Sequence, residues 1–382
     1  MPDDQRPFAD LPAALVEEVL GQTSTVGDLL LDTFHKLKVD KDSYRRSLLE
    51  KGIIRQESSL GYPPLPTTCG TDGSYAIERL LSADLAAAAA VAVEGLTPPS
   101  EKRHWEQPHH TTFIVAEAHH ADTATVLRAV MLGNELQLAT KAPHDLVLLD
   151  MTLTLPIIYF NQALNLAPDT PNLRCSQEFI LHSCDYLEAY RALLWAKRSD
   201  KDYIALPKYS TRREIGDLMG WTGEHDDRGL MTLLLQPGEF TQPHPLEQPA
   251  QEWHLNTNQL PESTRNNARD IASDIVEGLH QMYIFYYKPH EWLPALRVET
   301  ARDIALNDHR LASVIQGLKH QCATAAMLEP YPLYLADRTV KALARAIPTF
   351  RHVATQRISE KYDGDIGEVF FAMHGYRSES GG

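Results

Sequence analysis

The chain has 382 residues, of which 43% are hydrophobic and 23% are charged. This composition is typical of a globular protein with one large domain or two ordinary ones. The formal net charge of -15 argues against a protein that binds polyanions through its bulk charge. It does not exclude nucleic acid, because a local basic strip or a metal-bound cluster could still receive phosphate.

The cysteine pattern and the apolar runs predict a cytoplasmic protein that does not span a membrane. The four cysteines are scattered without a CxxC pair, which predicts reduced thiols and no zinc site. The longest apolar run, near residues 85–93, is too short to cross a bilayer. The first residues, Met-Pro-Asp-Asp, do not have the pattern of a signal peptide.

The N-terminal part of the chain is predicted to be a helical arm. Apolar residues recur at helical spacing through residues 10–52, as at Leu15, Val19, Leu29 and Leu30. The arm could pack on the main domain or dock a partner. We therefore expect two parts: the arm over residues 1–60, and a main domain over residues 61–382.

The main domain is predicted to alternate strands and helices, which is an α/β arrangement. Strands are predicted at 68–76, 84–95, 111–117, 146–150, 203–206, 283–287 and 295–298. Helices are predicted at 122–139, 157–198, 264–282, 300–328 and 336–358. An irregular insertion is predicted near 221–262, with a strand at 231–235, and the last residues are expected to be frayed.

One acidic residue, Asp72, lies in the small-residue stretch Cys69-Gly-Thr-Asp-Gly-Ser-Tyr75. Gly73 would allow the backbone to bend or another group to approach closely. We expect Asp72 at a strand bend, where a buried carboxylate needs hydrogen-bond donors or a cation. The Asp-Gly pair is also typical of a simple hairpin turn.

Two more acids, Glu135 and Asp150, follow at positions that are typical of a ligand or active site. Glu135 lies on the apolar side of its predicted helix, and Asp150 ends a continuous apolar strand. Strand ends in α/β sheets are common ligand sites. The alternatives are an ion pair between Glu135 and Lys141, and a capping role for Asp150.

The order strand-strand-strand-helix-strand, with acids on the first strand, the helix and the fourth strand, is that of ribonuclease H-like nucleases. The first and fourth strands are neighbours in that fold, so the three acids would converge. Three close carboxylates repel each other, and some stay protonated unless a cation binds. Oxygen ligands favour magnesium or manganese, and two such ions can hydrolyse a phosphodiester.

These residues resemble the NurA nuclease family. The matching stretches include the Asp-Gly-Ser of the first strand and follow the family's order at 71–80, 83–85, 132–135, 147–150, 204–208, 296–299 and 331–337. The resemblance implies a ribonuclease H-like mixed sheet with a helical C-terminal region. It also implies manganese-dependent DNA cleavage and a homodimer. The implied partner is a HerA-type hexameric translocase, in DNA end resection or antiviral defence.

The resemblance also implies the site residues. Asp72, Glu135 and Asp150 match the family's metal-binding acids, and Asp337 stands where the family has a histidine. Aspartate also binds hard cations, so Asp337 is the expected fourth ligand. The family's site tyrosine is matched by Tyr331, and the nearby Tyr334 remains an alternative. Met151 follows Asp150 where the family often has glycine.

Basic residues near the predicted fifth strand form a candidate DNA-binding strip. Residues 197–213 contain six positive and two negative charges, which could follow a phosphate backbone or form a solvated surface. The residues expected to bind DNA are Lys208, Arg212, Arg213 and, from the matching stretch at 296–299, Arg297.

Three functions fit the sequence. The first is a metal-dependent deoxyribonuclease that works with a DNA translocase. The second is a non-catalytic adaptor of the same fold, which docks a DNA motor. The third is an RNA-directed phosphodiesterase.

Overall fold

The computed structural model describes residues 11–222 and 225–381. The chain divides into two compact units, Met1–Ile53 and Ile54–Gly382. The sequence analysis places the division after residue 60, and the structure places it seven residues earlier, after Ile53. The first unit contains helix α1 (Ala13–Glu50), in the region predicted to be helical. None of the described helices is long and apolar enough to cross a membrane.

The second unit is built around one mixed sheet of eleven strands. They are β1 (Ile54–Gln56), β2 (Thr68–Leu80), β3 (Asp84–Glu94), β4 (His109–Glu117), β5 (Leu146–Leu149), β6 (Asp202–Ala205), β7 (Glu239–Thr241), β8 (His244–Pro245), β9 (Met282–Lys288), β10 (Leu296–Ala301) and β11 (Gly375–Gly381). Their order is β1-β7-β9-β10-β6-β5-β2-β3-β4, with β8 on β9 and β11 on β2.

Ten α-helices belong to the described part of this unit. They are α2 (Thr123–Lys141), α3 (Leu155–Leu166), α4 (Arg174–Trp195), α5 (Glu214–Leu218), α6 (Asp227–Leu234), α7 (Glu262–His280), α8 (Arg302–Ala305), α9 (Asp308–Gln321), α10 (Tyr331–Ser359) and α11 (Ile366–Ala372). The predicted α/β fold class, with a mixed central sheet and a helical C-terminal region, is confirmed.

Strand β2 is the centre of the part of the sheet that forms the site. It pairs antiparallel with β3 along most of its length and parallel with β5 through residues 68–71. The first and fourth strands of the predicted order are therefore neighbours. Leu149 of β5 pairs with Thr71 of β2. Asp150 directly follows Leu149 and Asp72 directly follows Thr71, so the two acids lie side by side at this point of the sheet.

Helices cover both faces of β2, because successive side chains of a strand point to opposite faces. Tyr75 points to α2, where Arg128 donates a hydrogen bond of 2.7 Å to its hydroxyl group. Ala76 points to the other face and packs with Ile347 of α10. All eleven residues of β3 are buried, and its alanine-rich sequence is typical of a strand covered on both sides.

Gly70 allows the beginning of α10 to lie directly against β2. A Cβ atom at this position would lie 2.8 Å from the backbone nitrogen of Leu333 and 2.8 Å from the carbonyl carbon of Pro332. Backbone atoms cannot move aside as the end of a flexible side chain can. The absence of a side chain at Gly70 therefore fixes how closely α10 approaches the sheet.

Two predicted elements differ from the structure in type or extent. The strand predicted at 231–235 is wrong, because these residues lie mainly in helix α6, whose N-cap Asp226 accepts a hydrogen bond from Gly229 N. A short apolar run does not distinguish a strand from a buried helix. The helix predicted at 157–198 is two helices, α3 and α4, separated by a segment that contains Pro168 and Pro171.

The expectation of frayed C-terminal residues is also wrong for the described part of the chain. Strand β11 pairs antiparallel with β2, from Gly375 opposite Leu80 to Gly381 opposite Tyr75. The pairing with β5 ends at Thr71, which leaves the edge of the second half of β2 free to accept another strand. Pairing with β11 satisfies the backbone groups at this edge.

We expect Gly70→Ala to destabilise the second unit by about 1–3 kcal/mol, because the added methyl group overlaps the backbone of α10. Chemical denaturation of the two proteins measures the difference. Gly229→Ala is the matched control, since a Cβ atom there makes only ordinary contact at 3.5 Å or more. Equal stability of Gly70→Ala and the unchanged protein would contradict the close approach.

Candidate metal centre

Three carboxylates from distant parts of the chain form one cluster. Asp72 lies within β2, Asp150 directly follows β5, and Asp337 lies in the second turn of α10. One oxygen from each of them lies within 4.8 Å of the other two. The parallel pairing of β2 with β5 and the close approach of α10 over Gly70 bring them together.

Asp72 is the buried member of this acid cluster, and its pKa is raised. Its side chain is 6% exposed, and burial, followed by the charges of Asp150 and Asp337, raises its pKa to about 8. The strand is regular here, with Asp72 opposite Val91. The predicted bend and the alternative hairpin turn at Asp72 are therefore wrong.

Lys208, which follows β6, supplies a positive charge to the acid cluster. Its Nζ atom lies 2.6 Å from Asp150 Oδ2, 3.4 Å from Asp337 Oδ1 and 3.0 Å from Glu329 Oε2. Burial would lower the pKa of Lys208, but Asp150 and Glu329 raise it above its ordinary value. The ammonium group therefore remains charged and offsets part of the repulsion among the acids.

Asp337 has a second cationic neighbour on its own helix. Lys341 Nζ lies 2.7 Å from Asp337 Oδ1, at the i,i+4 spacing that brings helical side chains together. Burial alone would raise the pKa of Asp337, but Lys341 and Lys208 hold it below its usual value. Asp337 is therefore ionised while Asp72 holds a proton near neutral pH.

Glu135 lies next to the acid cluster but on the other face of β2. It is 2% exposed, and Thr71 Oγ1 donates a hydrogen bond of 3.4 Å to its Oε1 atom. A Cβ atom at Gly73 would lie 3.2 Å from Glu135 Oε2. Thr71 and Gly73 point to α2, whereas Asp72 points to α10.

Glu135 has a strongly perturbed carboxyl group but lies outside the group of three acids that could share one ion. Burial, followed by the charges of Asp72 and Asp150, raises the pKa of Glu135 well above its ordinary value. Among the described residues, the group that could share one ion is Asp72, Asp150 and Asp337, without Glu135. A ligand role for Glu135 remains a prediction.

The donor set of the acid cluster fits a hard divalent cation. All three groups are carboxylates, which suit magnesium or manganese better than zinc. Burial, followed by the charges of Asp150 and Asp337, raises the pKa of Asp72, so a bound cation would favour its ionised form. Asp72, Asp150 and Asp337 are the residues that would hold it.

The acid cluster opens into a cleft of about 280 Å³, here called the acid cleft. Besides the three acids, its walls include Lys208, Lys341, Thr152, Ser74 and Tyr209. Tyr331 and Tyr334 lie in the first turn of α10 and are not among the residues that line it. Tyr334 instead accepts a hydrogen bond of 3.2 Å from Arg338.

Arg297 is almost fully buried and paired with acids, so the expectation of an arginine free to bind DNA is corrected, although its side chain borders a small cleft beside Thr152. It is 1% exposed, and it makes two hydrogen bonds of 2.7 and 2.8 Å to Glu214 and one of 2.9 Å to Glu299. Strand β10 lies between β9 and β6, where an arginine must be paired with acids. Arg297 therefore belongs to a buried ionic network.

The expected DNA contacts Arg212 and Arg213 lie apart from the acid cluster. Arg212 is partly exposed and forms an ion pair of 2.8 Å with Glu247. Arg213 donates a hydrogen bond of 2.7 Å to the carbonyl oxygen of Trp221. Of the four residues expected to bind DNA, Lys208 lines the acid cleft.

Glu299 is a site-supporting residue whose role the sequence analysis did not identify. Its Oε2 atom accepts hydrogen bonds from Thr152 Oγ1 at 2.7 Å and from Leu153 N at 2.9 Å. Its Oε1 atom accepts one from Arg297 at 2.9 Å. The network thereby fixes the segment that directly follows Asp150.

None of the known family models matches this sequence, and no curated protein matches it. The structure is similar to that of a NurA nuclease from Sulfolobus solfataricus, with a TM-score of 0.58 and 13% identity. The match covers 92% of this chain and 99% of that one. The chain has the fold of the NurA nucleases.

Two further NurA structures are similar. The structure of NurA with manganese matches with a TM-score of 0.53 and 13% identity, and the match covers 90% of this chain and 99% of the NurA chain. The structure of NurA bound to dAMP and manganese matches with a TM-score of 0.50 and 12% identity, and the match covers 84% of this chain and 93% of the NurA chain. At these identities the likeness establishes the NurA fold, as the sequence resemblance predicted.

We expect Asp72→Asn to stabilise the metal-free protein increasingly as the pH rises. The pKa of Asp72 is about 8 in the folded state and about 3.9 in an unfolded chain. Its contribution to stability is therefore complete below about pH 4 and is lost as the pH rises through 8. Asparagine does not ionise and avoids this loss.

The measurement is thermal unfolding with EDTA at pH 5, 7 and 9. The free energy of unfolding of Asp72→Asn, relative to the unchanged protein, should increase by at least about 1.4 kcal/mol across this range. Asp270→Asn, at an exposed position of α7, is the control and should show no such trend. Parallel pH curves for Asp72→Asn and the unchanged protein would refute the raised pKa.

We expect Arg297→Met to destabilise the protein by about 3–5 kcal/mol, because it leaves the buried Glu214 carboxylate without its partner. Arg212→Met, which breaks a more exposed pair with Glu247, should cost at most about 1 kcal/mol. Urea denaturation compares both variants. Similar losses for the two would contradict the buried network.

Proposed function

We propose that this protein is a metal-dependent deoxyribonuclease. The observation that carries the proposal is the convergence of Asp72, Asp150 and Asp337 in one cleft, in a chain with the NurA fold. Buried carboxylates that repel each other destabilise the folded state. A cluster of them in an accessible cleft is therefore best explained by the binding of a cation and a phosphate-containing substrate.

The ion is proposed to be manganese or magnesium, and the number of ions is proposed to be two. Asp72, Asp150 and Asp337 would hold the first, and Glu135, on the other side of β2, is the proposed additional acid. Such an ion supplies an activated water molecule and stabilises negative charge on phosphate oxygens. NurA structures solved with manganese, and with dAMP and manganese, support this ion and a DNA substrate.

The protein's own residues provide charge and positioning in the acid cleft. Lys208 and Lys341 bring two ammonium groups to the edge of the acid cluster, where they can contact phosphate oxygens. Glu299 holds the segment after Asp150 through Thr152 and Leu153. This support limits the movement of the Asp150 carboxylate when the charge in the cleft changes.

The proposed biological context follows from the resemblance of the site stretches to the NurA family. We propose a cytoplasmic homodimer that works with a HerA-type hexameric translocase, in DNA end resection or antiviral defence. The translocase would drive DNA to the nuclease, so cleavage should be measured with and without this partner.

We expect Asp150→Ala to reduce manganese-dependent cleavage of linear DNA by at least about 100-fold. Changing a residue that only supports a metal ligand typically lowers activity by about 10- to 100-fold. Removing the ligand itself should lower activity further. The assay follows single- and double-stranded linear DNA with manganese and with EDTA. Asp270→Ala removes an exposed acid on α7 and should keep full activity.

Other outcomes of this assay would favour the other functions. Cleavage of RNA but not DNA would indicate an RNA-directed phosphodiesterase. No cleavage of either, together with tight binding to the translocase, would indicate an adaptor of the same fold. Cleavage that persists in Asp150→Ala would exclude the acid cluster as the active site.

A further inference from the structure

Tyr209 projects into solvent beside the acid cluster. It directly follows Lys208, whose ammonium group contacts Asp150, and its side chain is 83% exposed. Among residues 11–222 and 225–381, no hydrogen bond or ring contact holds its side chain. A free aromatic ring of this size at the edge of a polar cleft is suited to bind another flat ring.

Tyr209 also lines a second cleft of about 190 Å³, here called the hydroxyl cleft. The two clefts are contiguous, because Thr152, Pro207 and Tyr209 line both of them. Tyr209 therefore lies at the junction of the acid cleft and the hydroxyl cleft.

The hydroxyl cleft has the side chains that bind a nucleic-acid backbone. Its walls combine several hydroxyl groups with two guanidinium groups and one carboxylate, from Thr152, Thr154, Ser210, Thr211, Arg212 and the paired Arg297 and Glu299. Hydroxyl groups and arginine are common partners of phosphate and sugar oxygens in protein–DNA contacts. The hydroxyl cleft thus offers a path for the backbone that continues away from the acid cluster.

We propose that Tyr209 is a stacking platform for one base of a single DNA strand, with the adjoining phosphate in the acid cleft and the strand continuing through the hydroxyl cleft. This inference rests on the proposed function and adds to it the form of the substrate. Stacking on an aromatic ring does not depend on the identity of the base. The strand is therefore bound without sequence preference at this position.

The single-stranded form follows from the geometry of stacking. In a duplex, both faces of an internal base are covered by its neighbours, and exposing one requires unpairing or flipping. A single strand or an unpaired end presents a free face at no such cost. The protein therefore binds an unpaired strand better than a blunt duplex, and Tyr209 accounts for part of that difference.

The first test measures the affinity of a fluorescein-labelled 12-nucleotide single strand, in an Asp150→Asn background that prevents cleavage. We expect Tyr209→Ala to weaken binding by roughly 5- to 150-fold, which corresponds to about 1–3 kcal/mol for one stacked base. Tyr209→Trp should retain binding. Tyr62→Ala is the matched control, because Tyr62 is 70% exposed but lines neither cleft.

The second test places a single abasic site at each position of the strand in turn. With Tyr209 present, the abasic site should weaken binding at one or two positions, where the base is stacked. With Tyr209→Ala, the same positions should become insensitive. This coupling distinguishes stacking from a general loss of folding, which would weaken binding to every strand equally.

The results separate this inference from the proposed nuclease activity. If the unchanged protein cleaves DNA but Tyr209→Ala binds single strands as tightly as the Asp150→Asn protein alone, the stacking role is wrong and the nuclease stands. If single-strand binding depends on Tyr209 but no condition gives cleavage, the stacking role stands and the nuclease proposal fails. Equal sensitivity to abasic sites with and without Tyr209 also overturns the stacking role.

Discussion

The close approach of three carboxylates, one buried and two partly buried, is the constraint on which the site depends. Asp72, Asp150 and Asp337 lie close enough to share one ion, and the pKa of Asp72 rises to about 8 as a result of burial and its acidic neighbours. Lys208 partly balances these charges. The packing of the second unit holds these three carboxylates close together, although their charges repel each other.

The restraining elements are themselves fixed by buried polar contacts. Arg297 connects Glu214 with Glu299, and Glu299 holds the backbone of Leu153. Buried ion pairs of this kind add little net stability, but breaking one leaves an uncompensated charge. The network is therefore best understood as a support that keeps the segment after Asp150 in place.

The order of elements and acids in the sequence was sufficient to predict that β2 and β5 are neighbours. It did not show which face of β2 each helix covers. Glu135 and Asp72 point to opposite faces of β2, which the sequence did not indicate, and a ligand role for Glu135 remains a prediction. Asp337 could be included only through the resemblance of the 331–337 stretch, since nothing local to α10 indicates that it crosses β2 at Gly70.

Incorrect expectations arose where the local sequence is ambiguous. Arg297 lies in a motif-like stretch, and only its burial shows that it pairs with Glu214 rather than facing solvent. Tyr209 gives no pattern in the sequence, because its importance comes from two clefts that meet in three dimensions. Lys341 could have been found, since it follows Asp337 at the i,i+4 spacing of a helix.

The late position of α10 in the chain has a consequence for how the protein matures. During synthesis, β2 and β5 emerge well before the helix that carries Asp337. Contacts between such distant segments form slowly, so a nascent chain has an incomplete set of acids until α10 docks. The three acids that could share one ion therefore come together only when this late helix has packed against the sheet, in the finished tertiary structure.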